Sequence, residues 1–354
     1  MDLHNLVNLA DYGINGINYY WVNRKKHCLA DQELNQVGVY NADAFVHPAV
    51  IEPLQQAIRS LNAQGFTLLV KDAFRSVDTY DLIYRRRCER EGREAVDRVL
   101  NTQTMPHSTG LAIDSVLVSL VEGKEVFMRD GNDGADAYFV DFYAGKTDPK
   151  SRLYYRLQQK QLSELRAVGF KLGSKGEYFH FELPVPILTP PSRAFRESFL
   201  EAVEEFRASN TLHHLTSIDV TPETFDNFLI RRRNISDGID LPFDWVPSND
   251  FWLVEAGRFI GRVTIRQELL TQRHKAIGHI GYAVRPSERG KGYGKMLLSM
   301  ALPFAKRLGI KNAVVSCGPH NYASQAIIHS CSGKFCRFAS VEEGVLWCFL
   351  VPTS

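Results

Sequence analysis

Apolar residues in the first half of the chain alternate between helical and strand-like spacing. Helical spacing runs around 49–64, in PAVIEPLQQAIRSLNA, and over 76–98. Between and after these lie the strand-like GFTLLVKDAF and GLAIDSVLVSL, then a helix over 151–168 leading into GFKLGS and EYFHFEL. Pro184, Pro186, Pro190 and Pro191 then cluster, each removing a backbone donor that a continuing strand or helix would use. A first domain is predicted to close there. Beyond it, Phe195, Phe199, Val203 and Phe206 recur at spacings of four, four and three, an amphipathic helix read as a structured connector. The second half predicts strand-like HHLTSIDVT, a helix over 222–233 opening at Thr221-Pro222-Glu223, and FWLVEAGRFIGRVTIRQEL with a turn at Ala256-Gly257. HIGYAVRP, a helix over 292–308, the strand NAVVSCG and a helix over 321–330 follow. Helices interleaved with short strands imply α+β for the first half and a mixed α/β layer for the second.

The chain's 354 residues suit about two domains, each able to bury a core without disulfides. A formal charge of +2, from 42 basic and 40 acidic residues, gives no reason to expect nucleic acid or an anionic membrane as the main partner. No basic N-terminal region precedes an unbroken apolar run, and about 18 consecutive apolar residues occur nowhere, so neither a signal peptide nor a membrane span is expected. The six cysteines form no C-x-x-C pair, which fits reduced thiols in a cytoplasm.

Three short pieces of the first half carry unusual chemistry: DAFRS at 72–76, PHSTGLAID at 106–114 and EYFH at 177–180. They offer His107, Asp114 and His180 as metal ligands, Glu177 as a base and Arg75 as a fixed cation. Two imidazoles and one carboxylate leave a tetrahedral zinc one open position, as a catalytic site requires. Gly110 lies where the chain must turn for His107 and Asp114 to face one metal. Taken singly, each residue has an ordinary reading: a core or surface histidine, a turn acid, a salt-bridge arginine.

At these residues the sequence resembles the D-alanyl-D-alanine dipeptidases of the vancomycin-resistance type, zinc peptidases with the pattern S-x-H-x-x-G-x-A-x-D and a later E-x-W-H. His107, Gly110, Ala112 and Asp114 fall in register with the first motif, Glu177 and His180 with the second. The resemblance spans most of 1–186. It implies zinc on His107, Asp114 and His180, Glu177 as base, and transition-state stabilisation by Arg75. Asp141, in YFVDF, is similar to a family acid near the substrate's free ammonium. Three positions depart from the pattern: Met105, Phe179 and Ser76 stand where the family has serine, tryptophan and proline. Met105 cannot offer a dipeptide the hydrogen bond of a serine.

In the second half, Arg289-Gly290-Lys291-Gly292-Tyr293-Gly294 lies between a strand and a helix. Glycines there let the backbone fold around a diphosphate, and the helix aims unpaired N–H groups and its positive dipole end at that charge. This half resembles the GNAT superfamily of acyl-CoA-dependent N-acetyltransferases, whose R/Q-x-x-G-x-G/A signature matches Arg289, Gly292 and Gly294. The resemblance covers about 213–354 and implies pantetheine pairing near Tyr282, Ala283 and Val284. It also implies pyrophosphate binding by 289–295, ending at Lys295, and a second acyl-CoA contact at Asn321 and Ser324. Many relatives place a general-acid tyrosine seven residues beyond that asparagine; Ile328 stands there. His279, Glu268 and His329 are other candidates for proton transfer.

The expected architecture is an α+β zinc peptidase domain over 1–186, a connector over 187–212, and an α/β GNAT-like domain over 213–354. The expected function is hydrolysis of D-alanyl-D-alanine or a related small dipeptide, joined to acetyl transfer from acetyl-CoA to an unknown amine. One alternative is a carboxypeptidase acting on peptidoglycan precursors or fragments. Another is a zinc-stabilised, acyl-CoA-sensing binding protein, against which the presence of both Glu177 and Arg75 argues.

Overall fold

A computed structural model describes residues 6–100, 102, 104–215, 220–243, 245–342 and 344–353. The chain divides into two compact units, Met1–Val185 and Pro186–Ser354.

The first unit holds a two-stranded pair, β1 (Val7–Asn8) with β2 (Phe45–Val46), and a four-stranded antiparallel sheet. That sheet comprises β3 (Phe66–Asp72), β4 (Ala112–Ser119), β5 (Lys171–Leu172) and β6 (His180–Glu182), in the order β3-β4-β6-β5. Helices Ile51–Asn62 and Pro149–Ala167 bury Leu54, Leu61, Leu157, Leu162 and Leu165, the apolar stripes that their sequence spacing carries. Asp148 caps the second of these, its carboxylate accepting from the Ser151 N–H, with Pro149 in the first turn. The helix predicted over 76–98 is two helices, Val77–Glu91 and Arg93–Val99. Gly92 between them sits at φ 81°, a conformation that no helix interior accommodates.

The second unit is one seven-stranded sheet in the order β12-β13-β11-β10-β9-β8-β7. Its strands are β7 (Ile187–Thr189), β8 (Ser248–Glu255), β9 (Arg258–Arg266), β10 (Ile280–Val284), β11 (Asn312–Cys317), β12 (Lys334–Val341) and β13 (Gly344–Pro352). Ala256 and Gly257, both at positive φ, make the turn between β8 and β9, where the sequence predicts one. The stretch 187–212 is no separate connector. Ile187–Thr189 pairs with β8 as the sheet's edge strand, a place proline-flanked segments tolerate. The helix Arg196–Ala208 buries Phe199, Val203 and Phe206, and the Phe199 ring stacks on Trp252 of β8 at 4.4 Å. The helix expected over 222–233 runs Phe225–Asp237, because Thr221 and Thr224 close a turn of their own first. Of the predicted strand 213–221, the first three residues belong to the short helix Leu212–Leu215, and 216–219 lie outside the described residues. Among the described residues, no helix is long and apolar enough to cross a membrane.

Candidate functional site

In the first unit, one row of residues across three strands is polar. Asp72 of β3 opposes Asp114 of β4, and Asp114 opposes His180 of β6. Directly opposed residues share a sheet face. The register between β3 and β4 shifts between Val70 and Asp72. That bulge puts Asp72 rather than Lys71 opposite Asp114. His107 enters from the short turn Pro106–Thr109, bracketed by Met105 at φ 39° and Gly110 at φ 72°. A Cβ on Gly110 would lie 2.7 Å from Leu6 and 2.8 Å from the His47 nitrogen, so both backbone angle and space demand glycine there.

Three atoms converge. His107 Nε2 lies 3.2 Å from His180 Nδ1 and 3.3 Å from Asp114 Oδ1, and the last two are 2.8 Å apart. Two ligands of a tetrahedral zinc, each ~2.0–2.1 Å from the ion, stand about 3.3 Å from one another. The triangle therefore suits an ion of that size. His107 Nδ1 donates to the Ala73 carbonyl at 2.6 Å, and His180 Nε2 donates to the Glu182 carboxylate at 3.1 Å. These acceptors hold the outer nitrogens protonated and leave each inner nitrogen available as a ligand. Gly173 makes room for this: a Cβ there would stand 2.0 Å from His180 Cδ2.

The electrostatics match a cation-binding set. Burial and the Arg75 cation push the His107 imidazole down. Burial also opposes charge on His180, but the Asp114 and Glu182 carboxylates outweigh it and hold that imidazole at about 10. Burial alone would raise Asp114, yet the two imidazoles keep it well below the usual carboxylate range. A proton on His180 thus bridges toward Asp114 where a metal cation would otherwise balance the charge. Glu177, 8% exposed, is pushed up to about 7 by burial and by the Asp114 charge, close to the value a general base needs.

Arg75 is buried between Asp72 and Asp114. Its Nε donates to Asp72 at 2.8 Å and Nη2 to the second Asp114 oxygen, Oδ2, at 3.2 Å. The rings of Tyr20 and Tyr80 stand 5.1 and 5.3 Å from the guanidinium carbon, and the Tyr80 hydroxyl accepts from the His107 N–H at 3.0 Å. His107, Asp114, His180, Glu177 and Arg75 all line one cavity of about 600 Å³. Asp141 does not: it is exposed on a turn, its carbonyl accepting from the Ala144 N–H, and the cavity wall excludes it. Sequence reading passed over Asp72, Gly173 and Glu182. Only Asp72, inside the DAFRS segment and three residues before Arg75, carried a local signal.

In the second unit the unusual feature is backbone. β10 pairs with β9 at five positions from Ile280 to Val284, but with β11 in register only at Ile280 opposite Val315. Beyond that pair the two parallel strands diverge, leaving the β11-facing edge of Tyr282, Ala283 and Val284 without a ladder partner. Gly290 and Gly292 sit at φ 79° and 89°, and Gly292 is the N-cap of the helix Tyr293–Arg307. Nothing lies within 4 Å of a Cβ built on either, so conformation rather than crowding calls for glycine. Gly294 differs: a Cβ there would meet Ile327 at 2.6 Å, so its smallness serves packing between two helices.

Three side chains near this turn have partners. Lys291 pairs with Glu288 at 2.8 Å, Arg289 Nη2 donates to Thr211 at 3.2 Å, and Tyr293 donates to Glu255 at 2.5 Å. Lys295 is exposed. Asn321 caps the helix Tyr322–Ser330 by accepting from the Ser324 N–H at 3.0 Å, and the Ser324 hydroxyl lies 2.8 Å from that of Tyr282. His279 Nδ1 accepts from the Val314 N–H at 3.0 Å and His329 Nδ1 lies 3.1 Å from the Gly333 carbonyl; both bonds tie backbone together.

Residues 192–333 match the model of the acetyltransferase (GNAT) domain family, wholly within the second unit, which is accordingly a GNAT acetyltransferase domain. No curated protein matches the chain. Among solved structures it is similar to a Vibrio cholerae protein described as a ribosomal-protein-serine acetyltransferase. That likeness has 22% identity, covers 47% of this chain and 93% of the other, and has a TM-score of 0.35. It is also similar to Mycobacterium smegmatis RimJ in complex with CoA-disulfide, at 16% identity, 48% and 82% coverage, and a TM-score of 0.38. A third, an N-acetyltransferase from Staphylococcus aureus Mu50, has 16% identity, 48% and 99% coverage, and a TM-score of 0.35.

Proposed function

We propose that this chain joins a zinc-dependent dipeptidase, acting on D-alanyl-D-alanine or a related small dipeptide, to an N-acetyltransferase that uses acetyl-CoA. The convergence of His107 Nε2, Asp114 Oδ1 and His180 Nδ1 beside Glu177 and Arg75 in one cavity carries the first reading. When bound, a zinc ion supplies Lewis acidity and lowers the pKa of a water in its open position. His107, Asp114 and His180 would hold it. Glu177 takes a proton from the attacking water as the C–O bond forms and passes it to the amine nitrogen as the C–N bond breaks. Arg75 has two parts. Its Nη2 fixes Asp114 Oδ2, leaving Oδ1 to the histidines, and Nη1, which bonds to no described residue, is available to the developing oxyanion.

In the second unit, the open edge of Tyr282–Val284 supports pairing with the pantetheine amides. The backbone N–H groups of 289–295 support a diphosphate at a helix N-terminus. Arg289, Gly290, Lys291, Gly292, Tyr293, Gly294 and Lys295 serve there chiefly through main chain, while Asn321 and Ser324 border the opening. The acetyl group passes from the thioester to an amine nitrogen, and the thiol leaves with the amine's proton.

A cavity of about 600 Å³ lies within the range of sites for drug-sized ligands and favours, as a second reading, a peptide longer than two residues cut as by a carboxypeptidase. The test is incubation of zinc-loaded protein with D,D-, L,D- and L,L-dipeptides and a D-alanine-terminated pentapeptide, with release of amino acids followed. Preference for the free dipeptide supports the first reading; release of a single D-alanine from the pentapeptide supports the second; no release from any contradicts both.

A further inference from the structure

The cavity extends past the convergent histidines to a second polar group centred on His27, which also lines it. His27 is 6% exposed. The Arg90 Nη2 group, which can only donate, lies 3.2 Å from His27 Nδ1. Nδ1 is therefore the acceptor, and the ring proton sits on Nε2. That Nε2–H is buried and has no hydrogen-bond partner. Such donors are rare in folded proteins, because burial costs them their bond to water. The backbone at the next residue, Cys28, sits at φ 54°, outside the conformations an L-residue prefers.

Charge at this end is unbalanced as well. Arg87 and Arg90, one helical turn apart on the helix Val77–Glu91, share a single carboxylate, Glu91. Lys26 adds a further cation to the wall. Burial and these three cations push His27 down to about 4, so its ring stays neutral and acts as a donor near pH 7. Tyr20 connects the two ends. Its ring lies 5.1 Å from the Arg75 guanidinium and 5.2 Å from the His27 ring, which sets His27 within about 10 Å of Arg75. At ~3.3–3.6 Å per extended residue, that reach covers one to three residues beyond the bond cut beside Arg75.

We propose that His27, Arg87 and Arg90 form an anion-recognition subsite that binds a carboxylate of the peptide substrate, the orphaned His27 Nε2–H donating to it and the unshared arginine charge balancing it. The subsite rests on the hydrolase reading for the identity of its ligand. A carboxylate satisfies the buried donor and offsets the surplus charge at once, which water does only in part. It can come from the peptide's C-terminus or from an acidic side chain.

The test is calorimetric titration of zinc-loaded protein carrying Glu177→Gln, which should bind dipeptide without cutting it. The probes are D-alanyl-D-alanine, its C-terminal amide, and the C-terminal amide of D-alanyl-D-glutamate. The free acid should bind at least tenfold more tightly than its amide if the subsite takes the C-terminus. Recovery of affinity by the glutamate amide would assign it to a side chain. Adding His27→Phe, which keeps a ring against Tyr19 and Tyr20, should erase the preference, and His27→Gln, which restores an N–H donor, should retain most of it. Zinc content should be the same in all of these variants. Equal binding of the free acid, its amide and the glutamate amide, or a preference untouched by His27→Phe, would overturn the subsite and leave the hydrolase reading standing. Absence of binding by every probe, together with no hydrolysis by the unmutated protein, would overturn both.

Discussion

In the N-terminal unit the groups that converge are side chains, drawn from β4, β6 and the turns beside them, and each is held by another polar group behind it. In the C-terminal unit the open groups are main chain: a diverging strand edge and two glycines at positive φ, with Lys291 beside them already paired to Glu288. On the proposed reading, the contrast follows from the chemistry each unit would do. A small divalent ion needs a few ligand atoms placed to a fraction of an ångström, which only buttressed side chains provide. A long cofactor with amides and phosphates needs a track of N–H and C=O groups, which backbone provides without spending side chains. The two sites should therefore break under different kinds of substitution.

The largest effect should come from the ligands. His107→Ala, Asp114→Ala or His180→Ala should weaken zinc binding by more than about 100-fold, measured by metal content after dialysis, and abolish dipeptide hydrolysis. Glu177→Gln should abolish hydrolysis with metal content unchanged; loss of metal would make Glu177 a ligand instead. Next comes Gly292→Val, which forces a β-branched residue to φ 89° and adds bulk at the helix N-terminus. Acetyl-CoA affinity should fall by about tenfold or more in a calorimetric titration. Gly294→Val instead drives a side chain into Ile327, so it should cost about 1–3 kcal/mol of stability, read as a lowered Tm. Gly173→Ala sharpens the comparison, because it is a backbone position acting on a side-chain site. Its methyl would displace His180, and zinc affinity should fall about 10–100-fold. The smallest effect belongs to Lys291→Ala: Glu288 already holds that ammonium, so acetyl-CoA affinity should change less than about threefold.

The same contrast separates what the sequence discloses from what it hides. His107, Asp114, His180 and Glu177 stand out because unusual residue types recur at ligand spacing, and the strand, turn and helix around 279–302 stand out by their glycines. The groups behind them are ordinary residues whose meaning depends on pairing. Asp72 faces Asp114 only because of the bulge at Lys71, and Glu182 reaches His180 only because both lie on β6. Gly173 has no positive φ to announce it; its importance is a contact with a residue seven positions on. Long periodic helices were legible to within a few residues. The break at Gly92 was not, since it lies in one backbone angle that apolar spacing does not show, nor were the edge strand Ile187–Thr189 and the final hairpin β12–β13, which tertiary pairing rather than local pattern decides.

The central claim, that three buttressed side chains form a metal centre, has a distinctive proton signature. With His180 held at about 10 without metal and His107 pushed down, one imidazole proton must leave when an ion binds near pH 8. A proton bound below about 10 competes with the ion, so apparent zinc affinity should rise by up to about tenfold per pH unit toward that value and level off above it. Zinc titration by calorimetry at pH 8, in two buffers of different ionisation enthalpy, measures this directly. The account predicts one zinc per chain with release of about one proton, and loss of that isotherm in His107→Ala. Zinc binding without proton release, or an isotherm that His107→Ala leaves intact, would contradict it.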